Sequence, residues 1–196
     1  MPAKGAAVVA ASSTVMTQAN AGGAAGGAYI LPGGFFQQNA NGGFRSLLIK
    51  GGGYWSCGGT LSTMTFTWNL DTTAGTALAG GLMGSTGAIT PVISTSGLFH
   101  FELMVTCTAA GVSAGVLQTI GAMDIATVAT PNSPTTTLQA FGTTASTNRV
   151  LIGGVAAGLA SVNTQQQYFL EMFNAWSVVT GAPSLTLTNF YAFGLN

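Results

Sequence analysis

Residues 111–115 read Gly-Val-Ser-Ala-Gly, a match to the G-x-S-x-G nucleophile elbow, and Ser113 is the one residue here whose surroundings name an enzyme. An elbow sets its serine on a strained turn between a strand and a helix, with an acid and then a histidine later in the chain to activate it. Here the only histidine, His100, precedes the serine, and the residues after Gly115 read as a strand. The motif fails its own requirements, and among 29 glycines a chance match accounts for it. His100 shares the polar face of a strand pattern with Glu102, which suits a solvated or interfacial side chain better than a catalytic pair. The acids Asp71, Glu102, Asp124 and Glu171 are scattered, and no spacing joins two of them as a glycosidase pair. One histidine and two cysteines 50 positions apart make no zinc ligand set. The glycine clusters at 22–27 and 51–53 lack G-x-G-x-x-G spacing and a following Lys-Ser/Thr, so no phosphate cradle is formed. The reading is therefore of a protein that is not an enzyme, with no catalytic, cofactor or metal site.

Charge decides more than any motif. The 196 residues hold four Lys or Arg and four Asp or Glu, where an ordinary domain devotes about a quarter of its positions to charge. Such a surface has little self-repulsion and invites association. Nucleic acid is excluded as a partner, because phosphate binding needs clustered cations, and Lys4, Arg45, Lys50 and Arg149 are dispersed. No apolar run is long enough to span a bilayer as a helix, and no regular set of matched strands with aromatic girdles suggests a membrane barrel. Cys57 and Cys107 fit either a cross-sheet disulfide or two buried thiols.

The elements that carry these residues read as strands. The clearest alternation sets Met64, Phe66, Trp68 and Leu70 on one face and Thr63, Thr65, Thr67 and Asn69 on the other. Residues 98–108 repeat it, with Phe99, Phe101, Leu103, Val105 and Cys107 inward and His100, Glu102, Met104, Thr106 and Thr108 outward. Residues 45–50 read as a short strand that ends at Gly51-Gly52-Gly53, and two short strands are expected near 77–82 and 88–93. At the C-terminus two apolar-rich runs flank Thr180-Gly181-Ala182-Pro183 and read as a β-hairpin. Its first run places Leu170, Met172, Trp176 and Val178 together, opposite Phe169 and Phe173. Its second places Leu185, Leu187, Tyr191, Phe193 and Leu195 together. Phe169, Phe173 and Phe190 lie opposite their apolar neighbours and, with Tyr191 and Phe193, form the candidate subunit interface.

Eight to ten strands, long crossing loops and no amphipathic helix predict an all-β, antiparallel jelly-roll sandwich over residues 29–196. Residues 1–28, rich in Ala and Gly, cannot bury a core and read as an extended N-terminal arm held by something outside the domain, with folding back along its own domain as the alternative.

Three passages look familiar together. They are Leu31-Pro32-Gly33-Gly34-Phe35-Phe36, then Gly59-Thr60-Leu61 through Thr65-Phe66-Thr67-Trp68-Asn69-Leu70, and Asn174-Ala175-Trp176-Ser177 ahead of a strand ending in Gly194-Leu195-Asn196. They resemble a group of tailed-bacteriophage virion proteins. Residues 102–108 are similar to a strand of that group with a Thr-Cys-Arg-type ending, although Thr108 stands where Arg is usual. The resemblance implies a capsid decoration, or head-fibre, protein: a homotrimeric jelly roll resembling the tumour-necrosis-factor fold, displayed on the capsid exterior. It implies no catalytic residues. The expected partner is the major capsid protein, with Lys4, Val8, Val9, Val15 and Met16 of the arm as candidate capsid contacts. The alternative is a tail or receptor-binding component, or a carbohydrate-binding adhesive module with host-surface glycans as ligands.

Overall fold

The computed structural model describes residues 8–10, 17–18, 29–37, 43–74, 81–126, 128–130, 135–138, 147–153 and 159–195. Among them there is no α-helix. The strands are β1 (Val8–Ala10), β2 (Thr17–Gln18), β3 (Tyr29–Leu31), β4 (Ser46–Cys57), β5 (Met64–Asp71), β6 (Leu82–Pro91), β7 (Thr95–Ala109), β8 (Gly115–Ala126), β9 (Val128–Thr130), β10 (Thr135–Leu138), β11 (Thr147–Gly153), β12 (Leu159–Val162), β13 (Tyr168–Trp176) and β14 (Ser184–Leu195).

Hydrogen bonding runs in the order β1-β14-β4-β7-β8-β11-β6-β5-β13-β2, with β3 on β13, β9 on β6, β10 on β11 and β12 on β8. The path folds over on itself. Phe66 and Trp68 of β5 pack against Phe99 and Phe101 of β7, with ring centroids 5.4 and 5.0 Å apart, although β5 and β7 are far from each other along the ladder. One layer is therefore β14-β4-β7-β8 and the facing layer is β6-β5-β13, with the aromatic core between them. The expectation of an all-β sandwich holds. The period-two patterns of β5 and β7 are its physical cause, because each strand turns one apolar face inward. The inward residues Phe66, Trp68, Phe101, Leu103 and Val105 are all fully buried.

The triple glycine does not end a strand. β4 runs straight through Gly51, Gly52 and Gly53, pairing with β14 on one side and β7 on the other. Gly51 leaves room for the ring of Phe101 to reach across β4 to Phe190, 6.1 Å away between centroids. Of the two short strands expected near 77–82 and 88–93, residues 77–80 of the first lie outside the described residues, and the second belongs to a longer strand. A single strand, β6, covers residues 82–91, and its register against β5 shifts between Thr65 and Thr67 and again between Trp68 and Asn69.

The C-terminal runs do not form a hairpin with each other. β13 pairs with β5, β3 and β2 in one layer, and β14 pairs with β4 and β1 in the other. The connection between them crosses from layer to layer. Its backbone is satisfied by the β4–β5 loop rather than by a two-stranded turn: Ser177 N donates to Thr63 O at 2.8 Å, and Ser62 Oγ donates to Val178 O at 2.8 Å. Both strands are apolar on a core-facing side, which satisfies a crossover as well as it satisfies a hairpin.

Two pieces of the N-terminal stretch are described, and both lie on this domain's own edges. β1 pairs with residues 185–187 of β14, and β2 with Phe173 and Asn174 of β13. The described pieces of this stretch are thus paired with strands of the same chain. Val8 and Val9 are thus placed along β14. Lys4, Val15 and Met16 lie outside the described residues.

Candidate functional site: the outer face of the first layer

A β-bulge determines what this face presents. Leu187 stands opposite Gly53 and Asn189 opposite Gly52, so Thr188 is the extra residue, and its Oγ1 donates to Gly52 O at 2.9 Å. An inserted residue reverses the alternation beyond it. Leu185 and Leu187 face inward before the bulge, and Phe190 and Ala192 do so after it; all four are buried. Tyr191, Phe193 and Leu195 are turned outward instead of sharing the inward side with Leu185 and Leu187. The Tyr191 and Phe193 rings stack, 6.3 Å between centroids.

The five expected interface aromatics therefore separate. Tyr191 and Phe193 lie on the open face. Phe190 belongs to the core, and Phe173 is 1% exposed, so both pack within the chain and leave no surface for a second subunit. Phe169 is half-buried.

Register aligns the outward residues in rows across the sheet. Phe193, Leu48, Met104 and Ile120 are successive cross-strand partners on β14, β4, β7 and β8. Phe193, Met104 and Ile120 are 42%, 38% and 73% exposed, and Leu151 and Leu195 are exposed nearby on β11 and β14. The sequence showed Met104 as outward, but Leu48 and Ile120 joined it only once the β4–β7–β8 register was known.

The next row along holds Tyr191, Lys50, Glu102 and Ala122, and the row beyond holds Asn189, Gly52, His100, Asp124 and Arg149. Lys50 Nζ lies 2.8 Å from Glu102 Oε2, and Arg149 Nε donates to Asp124 Oδ1 at 3.1 Å. Half of the chain's Lys, Arg, Asp and Glu stand on this face, and they sum to zero. The hydrogen bond from Lys50 holds the Glu102 carboxyl below the usual carboxylate range. Two shallow grooves flank His100. One, of about 450 Å³, runs over Gly52 and Gly53 between Leu98, Asp124, Thr188 and Asn189. The other, of about 430 Å³, lies between Glu102, Met104, Ile120, Arg149 and Leu151.

The structure does not bring Ser113 and His100 together. Ser113 is exposed in the turn between β7 and β8, and Gly115, where β8 begins, is nine residues from Asp124, the partner of His100. At the rise of a strand that is roughly 30 Å. Glu102 and Asp124 are each tied to a cation, and a carboxyl held low is the reverse of a general acid. No group of three His, Cys, Asp or Glu that could hold a metal occurs among the described residues. Cys57 and Cys107 are both free and buried, donating to Thr60 O and Ala109 O, so the disulfide alternative is not realised. All three tryptophans are buried in the core, so none offers a face for stacking on a sugar. No known protein family, curated protein or solved structure matches the chain.

Proposed function

We propose that this chain is a structural virion protein that decorates the outer surface of a tailed-phage capsid as a homotrimer, with residues 1–28 contributing the contact to the major capsid protein. The observation that carries the assembly half of this reading is the row Phe193–Leu48–Met104–Ile120. A side-chain row of this kind on a strand face that nothing among the described residues covers is what a subunit interface supplies. The face is also electrically neutral, so an identical copy meets no net repulsion there. The virion half of the reading rests on the resemblance of the three sequence passages.

We further read the sandwich as a jelly roll with an inserted segment. The support is the strand order: β1-β14-β4-β7 faces β2-β13-β5-β6, with β3 beside β2 on β13. Eight strands visited in that order, two from each end of the chain closing both layers, match the wrapped connectivity of a jelly roll. β8 to β12 are then the insertion between its sixth and seventh strands in chain order, β7 and β13.

Electron cryo-microscopy of particles tests the location. Density for this fold in groups of three on the shell supports the proposal, and its presence only at the tail contradicts it. An adhesive module is the second reading, favoured by the groove over Gly52, where Asn189, Thr188, His100 and Asp124 offer donors and acceptors to hydroxyls. Glycan-array binding by the isolated chain, lost on Asn189→Ala, supports that reading instead.

A further inference from the structure

We propose that the groove over Gly52 and Gly53 is a binding site for an uncharged hexopyranose, with Tyr54 as the wall on which the sugar ring stacks. The proposal rests on the adhesive reading and names its ligand. The outer row at this level runs Asn189, Gly52, His100 and Asp124 on β14, β4, β7 and β8. Asn189 and His100 are each one strand away from Gly52, so the strands that carry them stand roughly 10 Å apart with only backbone between. No side chain can take the glycine's place, because a Cβ on Gly52 would meet the carbonyl oxygen of Phe99 at 2.7 Å. The result is a trough of about 450 Å³, within the range of small-ligand sites. Leu98 lines one end, and its cross-strand partner Tyr54 stands beside it; the two are 70% and 47% exposed. The trough lies two rows from Phe193–Leu48–Met104–Ile120, beyond the Lys50–Glu102 pair.

The chemistry of the walls selects the ligand. The Asn189 amide both donates and accepts, and the Asp124 carboxylate accepts. Thr188 Oγ1 donates to Gly52 O at 2.9 Å, which leaves its lone pairs for an incoming donor. Sugar hydroxyls on neighbouring carbons donate and accept in turn, and they match this set. Arg149 Nε donates to Asp124 Oδ1 at 3.1 Å and balances its charge, while the carboxylate keeps acceptor sites to spare. An anionic sugar would bring its own carboxylate toward Asp124, where the neighbouring cation is already paired. The apolar side comes from Leu98 and Tyr54. A pyranose carries a face of C–H groups, and a tyrosine ring offers it a large, rigid surface at low entropic cost.

The test is an NMR titration of the full chain with the methyl glycosides of glucose, galactose and mannose and with glucuronic acid, repeated on Tyr54→Ala and Asn189→Ala. Tyr54 is exposed and Asn189 half-buried, so both variants should keep the fold, which thermal melting checks. The expected result is saturable binding of a neutral glycoside that shifts the Gly52 and Gly53 amides, about tenfold weaker in Tyr54→Ala and lost in Asn189→Ala. Neutral-sugar binding that Tyr54→Ala leaves unchanged overturns the stacking wall, and tighter binding of glucuronic acid overturns the uncharged ligand; both leave the adhesive reading intact. Failure of all three neutral glycosides to bind overturns the site, and if glycan arrays are blank as well, the adhesive reading falls with it.

Discussion

The ring of Phe101 fills the space that a side chain at Gly51 would need: a Cβ built on Gly51 would stand 2.5 Å from Phe101 Cζ and 2.7 Å from the carbonyl oxygen of Asn189. The backbone oxygen cannot retreat without breaking the β4–β14 ladder. Gly51→Ala is therefore expected to cost about 2–3 kcal/mol as an overpacked core. Gly59→Ala serves as the control, since the nearest atom to its Cβ is Ser94 Oγ at 3.7 Å, and a change within about 0.5 kcal/mol is expected there. Denaturant unfolding of the two variants checks the difference, and equal midpoints would remove the packing account of the triple glycine.

The bulge at Thr188 makes neighbouring aromatics behave oppositely. Phe190→Ala removes a core ring and should cost about 3–5 kcal/mol at every protein concentration. Phe193→Ala removes an exposed ring, so its effect should appear only at concentrations where chains associate. Unfolding midpoints measured over a concentration series separate the two. Concentration-independent loss in Phe193→Ala would place that ring inside the fold.

That bulge also marks where the sequence stopped being legible. The alternations at 64–70 and 98–107 gave the core-facing residues of β5 and β7 correctly, although Thr67 and Asn69 on the opposite side of β5 are buried too. In β14 the same rule put Tyr191 and Phe193 with Leu185 and Leu187, and one inserted residue with no signature of its own reversed the assignment. The hairpin expected at 180–183 failed for a related reason. A turn signal says that the chain bends, whereas the partner of each strand is set by contacts distant in sequence, here Ser62 with Val178 and Phe66 with Phe99. The outer-face row was invisible for the same cause. Leu48, Met104 and Ile120 are unremarkable singly and become a surface only through register.

The thiols give a third expectation. Burial pushes both Cys57 and Cys107 above the ordinary thiol range, more than the hydrogen bonds from Ser62 and Ala109 lower them. At about pH 8 little thiolate is then present. A thiol reagent should react slowly with the native chain and rapidly with both cysteines after unfolding. Absence of reaction in the unfolded, unreduced chain would mean that the two are bonded to each other.

The Lys50–Glu102 pair gives a fourth. Its folded carboxyl lies below the ordinary value, so its contribution is present above the unfolded pKa and is lost as pH falls through the folded one. Both side chains are well exposed, so the effect should be small and reduced by salt. Melting curves of wild type and Glu102→Gln should converge on acidification below the carboxylate range. A gap that widens there would reverse the assigned sign.

Assembly through the outer face is the central claim, and the mass of the isolated chain in solution tests it most directly. Light scattering of wild type should give three times the 19.6 kDa chain mass, and Ile120→Asp, which places a charge at the most exposed apolar position of the row, should give a folded single chain. A wild-type protein that stays at 19.6 kDa at high concentration, or an Ile120→Asp variant that assembles as wild type does, would contradict the account.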